Sequence, residues 1–200
     1  MSRSPRILDI TLAVTLLTAV VYTAGWSYAY HWYDHFELGL IGLGIPLEYH
    51  FMYGFWVLQW FWWLALALVG FVAITYWAQV DPVLDLMART APLWGLLAFV
   101  LVYQMGRAVA EADYRDHREA GFQHYPWVRV WTTADRSSVP DKLQAVQQDL
   151  AAGRYRLLLQ ADQSLYLIRP RQDGGRIPTL QIPHNQIRAL RRLPTNPGRP

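Results

Sequence analysis

Between Phe51 and Val80 the chain reads FMYGFWVLQWFWWLALALVGFVAITYWAQV, thirty residues without one charged side chain. About 20 apolar residues cross the hydrocarbon core of a bilayer as a helix, so this stretch can span one with tilt. Two other stretches share the property: Ile10 to Tyr30, which is free of charge, and the shorter Thr90 to Gly106, TAPLWGLLAFVLVYQMG. Arg107 follows the latter and can extend it by reaching to the headgroups. The pattern predicts three transmembrane helices over 10–30, 51–80 and 90–106. A cleaved signal peptide is disfavoured, because the first apolar run is long and lacks an A-x-A exit.

Composition agrees with that reading. Apolar residues make up 53% of the 200, charged residues 16%, and there are ten tryptophans. Soluble domains carry about 25% charged residues, so a simple soluble domain is disfavoured, and disorder is excluded. The absence of cysteine rules out disulfides, CxxC redox chemistry and thiolate metal sites. Charge divides the chain near residue 113: four arginines oppose eight acids before it, and thirteen arginines plus Lys142 oppose seven acids after it. Eight of the ten tryptophans precede that point.

These boundaries define a membrane region over 1–113, a helical extension over 114–121, a basic β-rich domain over 122–195 and a fraying end over 196–200. Trp26, Tyr28, Tyr30, Trp32 and Tyr33 close the first span, and Tyr49, Tyr53, Trp56, Trp60, Trp62 and Trp63 open the second. Such rings favour the bilayer interface, so they are read as lipid anchors around the intervening loop. That loop has no Lys or Arg, which places it outside and the N-terminus in the cytoplasm. Arg107, Arg115 and Arg118 pull the tail the other way. Long domains translocate largely regardless of charge, so the loop carries more weight and the tail is read as outside.

The loop over 31–50, HWYDHFELGLIGLGIPLEYH, is the most unusual segment. Its apolar centre suits an interfacial or re-entrant turn shielded by protein. Gly42 and Gly44 permit close backbone approach or positive φ, and Pro46 drives Ile45 to an extended conformation. His31 and His35 share a helical face; with Glu48 or His50 they could ligate zinc or another transition metal. The plainer reading, preferred here, is a polar interfacial loop without a cofactor. Within the spans the polar exceptions are Gln59, Gln79 and Gln104. No carboxylate or histidine lies there to mark a proton path, which disfavours transport by one chain.

After Arg107, AVAEADYRDHREAG continues as a polar helix with Gly121 as its stop. PWVRVWTT alternates Val128 and Val130 with outward Arg129 and Trp131. SSVPDKLQAVQQDLAAG is an amphipathic helix through Leu143, Val146 and Leu150, capped by Ser138 and ended by Gly153. RYRLLLQAD and QSLYLIRP are strands joined at Ala161–Ser164, RQDGG is a hairpin turn, and IPTLQIP and NQIRALRRL follow. The predicted fold is thus an α-helical membrane protein with three transmembrane helices and a small C-terminal α+β or SH3/Sm-like β-barrel domain. Its predicted core is Leu157, Leu159, Leu165, Leu167, Leu180, Ile182, Ile187 and Leu190. Arg154, Arg156, Arg169, Arg171, Arg176, Arg188, Arg191 and Arg192 are expected to form a basic outer surface.

Gly44-Ile45-Pro46 with Glu48, after an aromatic-rich span end, resembles uncharacterised bacterial multi-pass membrane proteins that end in a small β domain. The β pattern is similar at Leu157–Leu159, Asp162, Leu165–Tyr166–Leu167, Ile182–Pro183 and Gln186–Ile187. The chain departs from a simple SH3- or Sm-type barrel by placing the Leu143–Leu150 helix between the first two strands. The resemblance implies architecture and carries no activity.

No G-x-S-x-G frame, Walker loop or G-x-G-x-x-G occurs, and His117, His124 and His184 stand alone in sequence. His117 reads as part of a solvated helix and His124 as a linker residue. The expected function is therefore non-enzymatic. A bacterial inner-membrane protein holds a small basic binding domain at the membrane surface, as an accessory, regulatory or immunity-type component. Its expected partners are lipid and either a second protein or further copies of itself; nucleic acid is disfavoured for want of an RNP motif. The alternatives are a subunit of a homo-oligomeric pore or transporter and a metal-dependent membrane enzyme built on His31, His35, Glu48 and His50.

Overall fold

A computed structural model describes residues 6–77, 89–133, 140–170 and 177–193. Helices α1 (Arg6–Asp34), α2 (Leu47–Trp60), α3 (Trp62–Trp77) and α4 (Ala91–Glu119) precede strand β1 (Trp127–Thr132). Helix α5 (Asp141–Ala152) and strands β2 (Tyr155–Gln160), β3 (Ser164–Ile168), β4 (Thr179–Pro183) and β5 (Ile187–Arg192) complete the chain. Short 3-10 turns lie at Leu40–Leu43 and His184–Gln186. Two compact units result: Met1–His31 with Pro46–Glu111, and Trp32–Ile45 with Ala112–Pro200.

Among the described residues one helix, Pro92–Glu119, is long and apolar enough to cross a membrane, where the sequence predicts three. The second expected span is interrupted at Phe61, whose N–H bonds to Leu58 O at 3.1 Å. The break leaves helices of 14 and 16 residues. At 1.5 Å per residue each is shorter than a hydrocarbon core of about 30 Å. No Gly or Pro lies at the break; it falls within the aromatic run Trp60–Trp63. Helix α1 has the length, 29 residues, but its second half carries two Trp and four Tyr together with His31 and Asp34, which lower its hydropathy.

The first unit packs by close backbone approach. A Cβ on Gly25 would overlap the carbonyl oxygen of His50, and one on Gly54 would overlap that of Val21. A Cβ on Gly106 would lie 2.7 Å from Ala24 O. Ser27 Oγ donates to Tyr103 O at 2.6 Å. Small residues at these crossings let the helix backbones approach closely, and the hydroxyl-to-carbonyl bond joins α1 to α4. The other faces present large apolar side chains to the surroundings, among them Leu17, Phe55, Trp62, Leu66, Ile74 and Leu93. Of the aromatics expected to anchor lipid, Tyr30, Trp56, Trp60, Trp62 and Trp63 are exposed, whereas Tyr28, Trp32 and Tyr33 are buried in the protein.

The second unit is built on an antiparallel sheet of order β4-β3-β2-β1-β5. Helix α5 packs Val146 and Leu150 onto a core of Val128, Val130, Tyr155, Leu157, Leu165, Leu167 and Ile182. Gly153, at φ 78°, ends that helix as expected; its start is Asp141 behind Pro140, and Ser138 lies outside the described residues. Leu143 is 51% exposed and so sits off the packed face. The RQDGG turn and the fraying end also lie outside the described residues.

Strict alternation in β2 is overturned by a bulge. Leu157 pairs with Leu167 but Leu159 pairs with Tyr166, which makes Leu158 the extra residue. Leu158 is buried and Leu159 only partly so, a shift of the expected core by one position.

Strand β3 is buried on both faces. Leu165 and Leu167 face the α5 side, so Tyr166 and Ile168 belong to a second apolar layer with Phe36, Phe122 and Ile177, all buried. Phe36, Tyr114 and Phe122 pack edge-on, with centroids 5.6 to 6.1 Å apart. Thr179 Oγ1 on β4 donates to Phe36 O at 3.0 Å. Residues 32–45, read from sequence as an interfacial loop of the membrane half, therefore fold with the C-terminal sheet. Gly121 and Phe122, at φ 61° and 56°, turn the chain out of α4. The strain of a bulky left-handed residue, roughly 1–3 kcal/mol, is offset by burying its ring.

Candidate basic binding surface

The arginines expected on the outside separate into distinct groups. Arg154 and Arg169 both donate to Asp149, at 2.8 and 2.7 Å, so one carboxylate compensates two cations. Asp149 sits near the end of α5 and reaches both because Gly153 turns the chain back into β2 beside it. Tyr155 lies against this group, and its phenol is pushed above the usual range by burial first and by the Asp149 charge second.

Arg156 corrects the sequence reading: it is 6% exposed, not part of an outer surface. Its guanidinium lies 4.1 Å from the Trp127 ring centroid and donates to Tyr125 O at 2.6 Å. Burial lowers its pKa, yet a guanidinium stays charged at any physiological pH. Arg171 and Arg176 lie outside the described residues.

The other exposed arginines of the expected surface lie on β5, which among the described residues is an edge strand paired with β1. Arg188, Arg191 and Arg192 are exposed along it. Arg192 Nη2 donates to Gln160 Oε1 at 2.9 Å. Arg191 stands opposite Arg129 of β1, a residue the alternation placed outward but the expected basic surface omitted. Trp131, 39% exposed, follows Arg129 on the same face.

Beside this edge an open cleft of about 210 Å³ is lined by Gln160, Leu165, His184, Ile187 and Leu190. His184 enters it from the 3-10 turn, and its buried Nε2 has no hydrogen-bond partner among the described residues. Guanidinium forks on an edge strand, an exposed indole and a small apolar cleft are a surface suited to holding an anionic or peptide-like partner.

No known protein family, curated protein or solved structure matches this chain.

The metal candidates occupy separate aromatic settings. His31 packs edge-on against Tyr103, with centroids 5.5 Å apart. His35 stacks on Tyr114 at 4.0 Å, and His50 packs against Tyr22 at 5.6 Å. Glu48 is exposed in the first turn of α2. Among the described residues no three His, Asp or Glu side chains gather as a metal centre requires.

Of the loop residues, Gly44 takes φ 58°, while Gly42 sits in the 3-10 turn with open space beside it. Pro46 starts α2, so His50 lies inside a helix and not in a loop. His117 is not simply solvated: its Nδ1 lies 2.8 Å from Asp113 O, and its ring packs against Trp32 and Tyr125. His124 lies 5.3 Å from that ring. Gln59 and Gln104 are exposed, and Gln79 lies outside the described residues.

Proposed function

We propose that this chain is a multi-pass protein of a bacterial inner membrane that holds a small basic binding domain at the membrane surface, as an accessory, regulatory or immunity-type component. The observation that carries the reading is the continuity of α4. Its first part bears the exposed apolar side chains Leu93, Leu96, Leu97, Val100 and Leu101, and the same unbroken helix ends inside the unit that carries the basic strand. A helix of this kind can cross the bilayer and lead the chain into the folded domain.

With α4, the remaining helices fit three crossings. Residues 32–45 and 112–193 share one folded unit, so an even number of crossings separates them; α2 with α3 supplies one and α4 the other. Helix α1 supplies the third. Gly and Ser contacts between helices and the exposed apolar faces support this arrangement. The strand order, with a 3-10 turn between β4 and β5, supports the reading of the domain as a small SH3- or Sm-like barrel. Such a scaffold acts by docking, through the β5 edge and the adjoining cleft.

The chain contains no cysteine, so single cysteines report sidedness directly. Cysteines placed at Ser4, Gly42 and Arg188 are expected to label with a membrane-impermeant maleimide from opposite sides: Gly42 and Arg188 together, Ser4 from the other. Labelling of Gly42 and Arg188 from different sides, or of all three in carbonate-washed supernatant, rejects the proposal.

A further inference from the structure

Two arginines are cross-strand neighbours on the sheet, with no carboxylate partner among the described residues. Arg129 of β1 and Arg191 of β5 are direct register partners. Side chains so placed have Cβ atoms about 4.5–5.5 Å apart, and like charges there repel. Arg154 and Arg169 share Asp149, whereas among the described residues no carboxylate pairs with Arg129 or Arg191. The Arg129 stem is held in place: a Cβ on Gly153 would meet its Cγ at 3.1 Å, so the chain passes close beneath it. Its Nε, shut off from solvent, has no acceptor among the described residues.

A cross-strand pair of arginines, one held by packing and one exposed, with no carboxylate among the described residues to compensate it, is suited to receive an oxyanion. Two guanidinium forks can each give two parallel N–H bonds to one phosphate, which a pair of lysines cannot reproduce. Trp131 stands next along the same face, 39% exposed. The exposed Arg188 is the extra residue where Trp131 pairs with Ala189 and Thr132 with Ile187. An exposed indole beside arginines is the chemistry of a bilayer interface, where the ring enters the headgroup layer and the cations meet phosphate. We propose that Arg129 and Arg191, assisted by Arg188 and Trp131, bind the phosphate of an anionic lipid headgroup. This rests on the membrane-anchored reading, which supplies lipid to the domain at all times.

The test uses the full chain in uncharged detergent micelles. It is titrated separately with short-chain phosphatidylglycerol, short-chain phosphatidylcholine, inorganic phosphate and a single-stranded oligonucleotide. The readout is protection of the β1 and β5 amides from hydrogen exchange. Phosphatidylglycerol is expected to protect both strands at roughly tenfold lower concentration than phosphatidylcholine. The double variant Arg129→Gln/Arg191→Gln is expected to raise its half-saturating concentration by about tenfold or more, and Arg129→Lys/Arg191→Lys by less. Arg191→Gln alone, at an exposed position, provides the same comparison if the double variant does not fold.

Equal protection by the two lipids, or undiminished binding by Arg191→Gln, overturns the proposal. So does inorganic phosphate matching phosphatidylglycerol, which would mark a site for free phosphate, or tighter binding of the oligonucleotide. If these fail while Gly42 and Arg188 cysteines still label from one side, the anchored reading stands and only the lipid site falls.

Discussion

Arg156 of β2 stands directly across the ladder from Trp127 of β1, its guanidinium carbon 4.1 Å from the ring centroid. The same group donates to Tyr125 O at 2.6 Å and reaches Gln123 O at 3.5 Å. It thereby ties the turn leaving α4 to the centre of the sheet. Removing it exposes two costs together: carbonyls left without a charged donor and an indole left without its cation. Arg156→Ala is expected to destabilise the second unit by about 3 kcal/mol, and Arg156→Lys by about half as much because charge survives without the fork. Exchange rates of the β1 and β2 amides measure this; wild-type rates in Arg156→Ala would mean the buried cation is dispensable.

The bulge in β2 makes opposite predictions for adjacent leucines. Leu158 is 7% exposed, whereas Leu159 is only partly buried. Leu158→Ala is expected to cost about 2–4 kcal/mol and Leu159→Ala less than about 1.5. Denaturant titration of the full chain, followed through the near-ultraviolet signal, gives both values. The reverse order would restore the unbroken alternation that the sequence suggests.

Those two leucines show where a sequence stops being readable. Gly121, Gly153 and the Ala161–Ser164 turn were legible because each is set by local backbone chemistry; Ala161 N–H, for example, donates to Ser164 O at 3.0 Å. The bulge at Leu158 and the helix break at Phe61 have no Gly or Pro behind them and depend on packing. The aromatics were ambiguous for a different reason. Trp32 is 4% exposed and Trp62 61%, yet both lie near a span end. A ring with a polar edge satisfies lipid headgroups and a protein interior equally well. Arg156 and Arg191 look alike in sequence, and only the fold decides which is buried against an indole and which is exposed in register with another arginine.

Helix packing in the first unit depends on the absence of side chains at Gly25, Gly54 and Gly106. Gly25→Ala and Gly54→Ala each place a methyl group against backbone, which cannot yield as a flexible side chain does. Each is expected to cost about 2 kcal/mol or more. Gly70 and Gly95 have open space around a built Cβ, so alanine there is expected to be neutral or stabilising by up to about 1 kcal/mol. Thermal midpoints in one detergent compare the four directly. Equal effects at all four sites would remove the argument that α1 and α2 meet through glycine.

The last link to test is the one that joins residues 32–45 to the sheet. Thr179 Oγ1 donates to Phe36 O at 3.0 Å, and Phe36 is fully buried against Tyr114 and Phe122. Thr179→Val keeps the shape and loses the hydroxyl, for an expected cost of about 1 kcal/mol. Phe36→Ala empties the aromatic cluster and is expected to cost about 3–5 kcal/mol. The diagnostic readout is local: Phe36→Ala should speed exchange at β3 and β4, more than a hundred residues away in sequence, as well as in 36–45. The α5 amides, which pack on the opposite face of the sheet, should respond least. If β3 and β4 keep their protection while 36–45 loses it, the segment merely rests on the sheet and the two-sided burial of β3 must come from elsewhere.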